Sequence, residues 1–283
     1  MHHTQWITLL AGAATLLVAC GTEAPLVVTT PDASTSEAGP PGSLGDPGDG
    51  GGGAHDAGCE APDLLVVLDR SASMGKPIGK GPDGGPLPTK MTLATRALTK
   101  LTAAPVDATV RFGLEVFPDV AGACASGTLL VPPATDQGAA IGKALVGLEL
   151  LTGTPLGGPL EVARAHLAKT KEAGRKQFVL LVTDGGETCP SAAALPVVQR
   201  LAAEGVQTFV VGFGGAVNEA ELNNLACAGG TAPTPATSCK STPSGLVWVG
   251  TGPDLFFSAQ DEKSLEAALN SIAGKECCGC TVR

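Results

Sequence analysis

An acid and two hydroxyls follow the apolar run at residues 64–68, spaced two positions apart. They are Asp69, Ser71 and Ser73, in the stretch DRSAS. The apolar run is short and uninterrupted, which is typical of a strand covered on both faces in a parallel sheet. A loop that follows such a strand can turn all three side chains toward one point. Hard oxygen ligands that converge in this way favour a hard divalent cation, Mg²⁺ or alternatively Ca²⁺ or Mn²⁺.

A second strand-like run, QFVLLVTDGG at residues 177–186, also ends in an acid, Asp184. Between the two acids lies LLTGTPLGGPL, in which Thr154 stands in a Gly-flanked loop just before a helical pattern. Parallel sheets covered by helices bind ligands at the carboxyl ends of their strands. We therefore expect Asp69, Asp184 and Thr154 to lie at one edge of a sheet.

The elements that must position these residues alternate between strand-like and helix-like patterns. Strands are predicted at 64–68, 109–118, 128–133, 177–186, 206–214 and 254–259. Helices are predicted within 90–104 and at 137–151, 157–168, 191–205, 218–226 and 261–274, with a loop at 229–245. This order predicts an α/β fold: a doubly wound, mainly parallel six-stranded sheet with helices on both faces. The paired prolines at 132 and 133 favour an antiparallel edge position for the third strand.

The candidate ligands form the pattern D-x-S-x-S, then T, then D. In chain order they are Asp69, Ser71, Ser73, Thr154 and Asp184. Together with VTDGGET at the second strand end, this pattern resembles a von Willebrand factor type A (VWA) domain with a metal-ion-dependent adhesion site (MIDAS). The resemblance covers residues 62–273. It implies that Ser71 and Ser73 bind Mg²⁺ directly, that Thr154 does so in some states, and that both acids act partly through water.

The resemblance also implies a non-catalytic binding or adhesion domain that engages an Asp or Glu carboxylate of a protein partner. Hydroxyls and waters neutralise a divalent ion poorly, so the ion keeps excess positive charge and a coordination position that such a carboxylate fills. Specificity must then come from the rim of the site. The loops at 75–89 and 229–245 are the candidates, because both are longer than typical connections.

Each candidate ligand also has a structural interpretation. Asp69 can end a strand, Ser71 and Ser73 can cap the next helix, Thr154 can cap its own helix, and Asp184 can form a turn. The alternative function is therefore a structural component of the cell envelope without metal-dependent ligand binding.

Catalytic interpretations lack the necessary partner residues. SMGK, which starts at Ser73, matches the S-x-x-K nucleophile motif, but neither S-D-N nor K-T-G follows it. His166 is the one histidine beyond the N-terminal region, and its helical context does not favour a Ser-His-Asp triad. We therefore predict that the chain is not an enzyme.

The N-terminal region predicts export. Residues 6–19 are apolar, too short to span a bilayer comfortably, and lead into LVAC, although the preceding residues include no Lys or Arg. This resembles a bacterial lipoprotein signal peptide at 1–20, with lipidation at Cys20. Gly21 favours the outer membrane over the inner membrane of the envelope. Residues 21–58 are rich in Gly, Pro, Ser and Asp and predict a flexible tether to a domain at 59–283.

The cysteine count agrees with export. Nine cysteines are present, and setting Cys20 aside leaves an even number, which favours disulfides over a thiolate metal site. The candidates are Cys59, Cys124, Cys189, Cys227, Cys239, Cys277, Cys278 and Cys280. We expect Cys227 and Cys239 to close their local loop and Cys59 to bond with the C-terminal cluster CCGC.

Charge and composition limit the class of partner. Asp and Glu number 27 against 18 Lys and Arg, giving a formal net charge of -9, and aromatic residues make up 3% with no Tyr. An acidic chain without stacking side chains disfavours nucleic acid. The expected partner is a protein, with membrane contact through the lipid anchor alone; the sequence indicates no oligomeric state.

Overall fold

The computed structural model describes residues 60–80, 83, 85–214, 217–232 and 235–276. The predicted signal peptide, Cys20 and the tether lie outside the described residues, as do Cys59, Cys277, Cys278 and Cys280. Within the described ranges, no helix is long and apolar enough to cross a membrane.

Eight strands form two separate sheets in the described part of the chain. They are β1 (Asp63–Asp69), β2 (Arg111–Phe117), β3 (Thr128–Ala134), β4 (Gln177–Thr183), β5 (Val206–Phe213), β6 (Cys239–Thr242), β7 (Gly245–Trp248) and β8 (Phe257–Ala259). The main sheet has the order β3-β2-β1-β4-β5-β8, and all its pairs are parallel except β2 with β3. The predicted six-stranded sheet with one antiparallel edge strand is therefore confirmed.

Helices cover both faces of the main sheet. They are α1 (Lys90–Leu101), α2 (Gly138–Leu145), α3 (Gly157–Lys169), α4 (Ala194–Ala203), α5 (Glu219–Ala228), α6 (Pro235–Ser238) and α7 (Glu262–Glu276). One core contains buried side chains of α1, α2 and α7, and the core on the opposite face contains those of α3, α4 and α5. The doubly wound architecture is thus confirmed.

The central strand β1 explains why the predicted ligands lie at one edge. All seven of its residues are buried, with alternate side chains directed into the two cores. It lies between β2 and β4, parallel to both, and Leu68 is in register with Val182. Because the two strands run in the same direction, Asp69 at the end of β1 and Asp184 just after β4 reach the same edge of the sheet.

Two local predictions are wrong. The region 229–245, predicted as a loop, contains α6, β6 and the start of β7, and the two strands form a second, antiparallel sheet. Neither strand exceeds four residues, so no alternating apolar pattern of useful length exists there. The helix predicted at 137–151 ends at Leu145, because the next residue, Val146, has an extended backbone with ψ of 125°, and Gly147 follows in a left-handed conformation with φ of 71°.

Candidate functional site

Asp69 is the last residue of β1 and its side chain is held from two sides. Its Oδ1 accepts a hydrogen bond from the backbone N–H of Ser71 at 2.7 Å, and its Oδ2 accepts one from the Thr183 hydroxyl at 2.7 Å. Desolvation raises the pKa of Asp69 to about 6, although both hydrogen bonds lower it. The hydrogen bonds therefore offset only part of the cost of burying the charged carboxylate.

The two serines connect Asp69 to Asp184. Ser71 Oγ and Ser73 Oγ lie 2.8 Å apart, and Ser73 Oγ donates to Asp184 Oδ1 at 2.8 Å. Asp184 is buried, with 2% of its surface exposed. The residues of the D-x-S-x-S motif and the acid after β4 thus form one continuous hydrogen-bonded group, although 111 positions separate Ser73 from Asp184.

Thr154 is brought to the same place by its backbone. Its N–H donates to Thr188 Oγ1 at 2.9 Å, and its carbonyl oxygen accepts from the Thr188 N–H at 3.1 Å. Its side chain lies against Gly185, where a Cβ atom would be 3.5 Å from Thr154 Oγ1. Since Gly185 directly follows Asp184, the structure brings all five predicted residues together.

Capping does not account for the predicted hydroxyls. Ser71 precedes a short 3₁₀ turn at Ala72–Gly75 and makes no side-chain capping hydrogen bond. The capping hydroxyl of α1 belongs to Thr89, which accepts from the Thr92 N–H at 3.2 Å. Thr154 lies two residues before Leu156, the N-cap of α3, which makes no side-chain capping bond. The helix-cap interpretation of these hydroxyls is therefore not supported.

Lys90 is a member of the site that the sequence did not predict. Its Nζ donates to Asp184 Oδ2 at 2.6 Å, and the ion pair is buried, with side-chain exposures of 10% for Lys90 and 0% for Asp184. One feature of the sequence could have indicated its role: Lys90 is the first residue of α1, and the positive end of a helix dipole disfavours a basic residue there. Such a position calls for a compensating acid.

Two further residues that the sequence did not single out position the loops of the site. Glu187 Oε2 accepts from the backbone N–H groups of Leu156 and Gly157 at 3.0 and 2.8 Å, so this side chain caps the start of α3 from another loop. Thr188 binds Thr154 through two hydrogen bonds and donates its hydroxyl to the Ala123 carbonyl at 3.0 Å. Both residues belong to VTDGGET, so the motif supplies supports as well as a candidate ligand.

A disulfide joins the same loops covalently. Cys124, in the loop after β2, bonds with Cys189, in the loop after β4, and Cys227 bonds with Cys239 at the start of β6. The interpretation as disulfides is thus confirmed for these four cysteines. The first of the two bonds secures the loops beside Thr154 and Asp184.

The donor set fits a hard divalent cation. Among the described residues, no group of three or more His, Cys, Asp or Glu side chains is placed to hold a metal. The group at this sheet edge instead combines two carboxylates with three hydroxyls, a set without nitrogen or sulfur. Such oxygens suit Mg²⁺, Ca²⁺ or Mn²⁺ better than soft metals.

The family model for the von Willebrand factor type A domain matches residues 63–270. The chain therefore belongs to the VWA family, whose domains are generally non-catalytic binding modules. No curated protein matches the chain at a significant level.

Solved structures share the fold at low sequence identity. An aerotolerance-related membrane protein from Bacteroides fragilis is 17% identical, with a TM-score of 0.54 over 76% of this chain and 100% of that chain. Proximal thread matrix protein 1 from the mussel byssus is 18% identical, with a TM-score of 0.52 over 77% of this chain and 47% of the mussel protein. The manganese-loaded TRAP protein of Plasmodium vivax is 20% identical, with a TM-score of 0.51 over 76% and 73% of the two chains. This chain thus spans about half of the mussel protein.

Proposed function

We propose that this chain is a non-catalytic, envelope-anchored lipoprotein whose VWA domain binds a protein partner through a divalent cation. The observation that carries the proposal is the gathering of five oxygen-bearing residues at the edge of the main sheet, four of them in one hydrogen-bonded group and Thr154 beside it against Gly185. They are Asp69, Ser71, Ser73, Thr154 and Asp184. These residues are spread over 116 positions of the sequence. If each of them only ended a strand or capped a helix, they would have no reason to gather at one point.

The residues of the site divide into ligands and supports. Ser71, Ser73 and Thr154 offer neutral hydroxyl oxygens, and Asp69 holds the backbone of Ser71 while its own carboxylate is only partly compensated. A cation beside such a carboxylate is favoured electrostatically. When bound, the ion would supply a positively charged coordination position for an Asp or Glu side chain of the partner.

Two structural neighbours support the class of ion. One structure of the mussel thread matrix protein has a zinc-occupied MIDAS motif, and the Plasmodium TRAP structure is manganese-loaded. Their similarity to this chain is in fold. We propose Mg²⁺ as the physiological ion, because a hydroxyl-rich oxygen set with room for water suits its octahedral coordination.

The anchoring part of the proposal depends on the N-terminal sequence. LVAC ends an apolar segment, and lipidation of Cys20 would attach the domain to the bacterial envelope through the tether at 21–58. The Bacteroides neighbour is described as a membrane protein, which agrees with this location. Gly21 favours the outer membrane.

Thr154→Ala is the sharpest test of the metal site. Both hydrogen bonds described for Thr154 involve its backbone, so removing the hydroxyl leaves the supports of the loop in place. We expect calorimetric titration of the full chain with Mg²⁺ and Mn²⁺ to show affinity reduced by about tenfold or more, since one inner ligand is lost. Thr154→Ser keeps the hydroxyl and should retain affinity near that of the wild type.

Partner capture then tests the binding function. A partner captured from envelope extract in Mg²⁺ should be lost in EDTA and also lost with Thr154→Ala. Equal capture in Mg²⁺ and in EDTA would refute cation-dependent binding and favour a structural envelope component. Mg²⁺ and Mn²⁺ affinities unchanged by Thr154→Ala would refute the assignment of this ligand.

A further inference from the structure

Lys90 and Ser73 use different oxygens of the same carboxylate. Ser73 Oγ donates to Asp184 Oδ1, whereas Lys90 Nζ donates to Asp184 Oδ2. The ammonium group therefore lies beside the cluster of candidate metal ligands without hydrogen-bonding to its hydroxyls. A divalent ion held by this cluster would share Asp184 with a second, internal cation.

The surroundings of Lys90 hold it in this position. Thr89 caps α1, and the Lys90 N–H donates to the Lys76 carbonyl at 3.1 Å, which fixes the start of the helix. Gly214, with φ of 91°, leaves space for the lysine, because a Cβ atom there would lie 2.9 Å from Lys90 Cε. Lys90 is 8% exposed, so the charge is far less screened than that of a surface lysine.

The position of Lys90 carries an electrostatic cost, and helix formation alone gives no reason for a lysine there. A basic residue at the first position of a helix opposes the helix dipole, and the first turn of α1 contains no acid. Burial of the ammonium adds a desolvation cost, which the ion pair with Asp184 offsets. With Lys90 included, Asp69, Asp184 and Lys90 sum to one negative charge instead of two.

We propose that Lys90 is an internal cation that competes for Asp184 and lowers the affinity of the site for divalent ions. This inference rests on the proposed function. It adds that the affinity of the site is low enough for the bound ion to exchange with ions in solution. Repulsion between the ammonium and a nearby divalent ion opposes binding, and partial neutralisation of Asp184 weakens its attraction for the ion. Occupancy then follows the concentration of divalent cations around the domain instead of being permanent.

Removing the charge of Lys90 tests the inference with metal alone. Mn²⁺ affinity of the full chain is measured by calorimetry for wild type, Lys90→Gln and Lys90→Met. We expect both variants to bind Mn²⁺ at least about tenfold more tightly, because a buried charge near the ion acts at low effective dielectric. Lys90→Arg keeps the charge and should stay within about threefold of wild type.

Lys100→Gln is the matched control for the general effect of charge. Lys100 also belongs to α1, in its last turn, and pairs with Glu266. Its removal changes the net charge of the protein by the same amount as Lys90→Gln, and we expect Mn²⁺ affinity to be unchanged. If it tightens binding as much as Lys90→Gln does, the effect is not local and the proposal is overturned.

Leaving Asp184 unpaired destabilises the metal-free protein. The Mn²⁺-dependent rise in Tm therefore provides a second measurement, since an ion that binds the folded state more tightly stabilises it more at equal concentration. We expect a larger rise for Lys90→Gln than for wild type. Mn²⁺ affinity equal to or weaker than that of wild type in both uncharged variants would overturn the role of Lys90.

The two proposals fail in different ways. If wild type and all variants bind no Mn²⁺, both the metal site and the role of Lys90 are wrong. If wild type binds Mn²⁺ and Thr154→Ala weakens binding, but Lys90→Gln and Lys90→Met do not tighten it, the role of Lys90 alone is wrong.

Discussion

Replacement of Glu115 by Gln should increase the stability of the protein at alkaline pH. Glu115 lies in β2 and is fully buried, and among the residues that the structure describes neither of its carboxyl oxygens has a hydrogen-bond partner. It lies against the backbone of Gly127, where a Cβ atom would be 2.0 Å from Glu115 Oε1. Desolvation raises the pKa of Glu115 from 4.5 to about 8.

The direction of the effect follows from proton binding. Between pH 4.5 and about 8 the unfolded chain loses the Glu115 proton while the folded protein keeps it, so the free energy of unfolding falls as pH rises. Each pKa unit corresponds to about 1.4 kcal/mol, and the cost therefore approaches an upper limit of about 5 kcal/mol above pH 8. Below the unfolded-state pKa, both states hold the proton and the cost vanishes.

Urea unfolding of wild type and Glu115→Gln at several pH values from 4 to 9, in EDTA, measures this cost. Glutamine cannot ionise, so the stability of the variant relative to wild type should rise by up to about 1.4 kcal/mol per pH unit and level off above pH 8. The raised pKa of Asp69 contributes equally to both proteins and cancels in the difference. Glu149→Gln, the same change at an exposed position, is the matched control. Parallel pH profiles for wild type and Glu115→Gln would refute the reasoning.

Two further predictions concern the loops that support the site. Replacing Cys124 and Cys189 together by Ser should lower the free energy of unfolding by about 2–4 kcal/mol, since the bond closes a separation of 65 residues. Mn²⁺ affinity should fall as well, because the loops beside Thr154 lose their covalent link; full retention of both properties would contradict this role. Glu187→Ala should cost about 1–2 kcal/mol in urea unfolding by removing the acceptor at the start of α3, and Glu187→Gln should cost less. Equal stabilities for these two variants would rule out capping by the side-chain oxygen.

The edge of the sheet at which the site lies was predictable from local patterns. The apolar runs before Asp69 and Asp184 are long enough to identify two buried strands, and the alternation of strands and helices requires both strands to end at the same edge. Thr154 precedes a helical pattern, so its loop belongs to that edge too. These inferences need only the periodicity of neighbouring residues and the handedness of crossover connections.

The hairpin of β6 and β7 and the end of α2 were missed for a related reason. Four-residue strands carry too few side chains to show a period, and β6 depends on α5 through the Cys227–Cys239 bond. The helical region ends where Val146 becomes extended and Gly147 turns left-handed, and the apolar pattern of residues 137–151 does not reveal these backbone angles. In both places the apolar pattern of neighbouring residues was too weak to predict the structure, which depends on tertiary contacts and backbone conformation.

What the sequence determined by itself is the class of fold, the edge that carries the site and the hydroxyl-rich chemistry of its five candidate ligands. Only the tertiary structure paired Lys90 with Asp184 across 94 positions and buried the Glu115 carboxyl with no hydrogen-bond partner in the described part of the chain. Periodicity reports which side of an element a residue occupies, but it does not report which distant group packs against that side. Ion pairing and desolvation depend on that neighbour, so the electrostatics of this protein became apparent only from its packing.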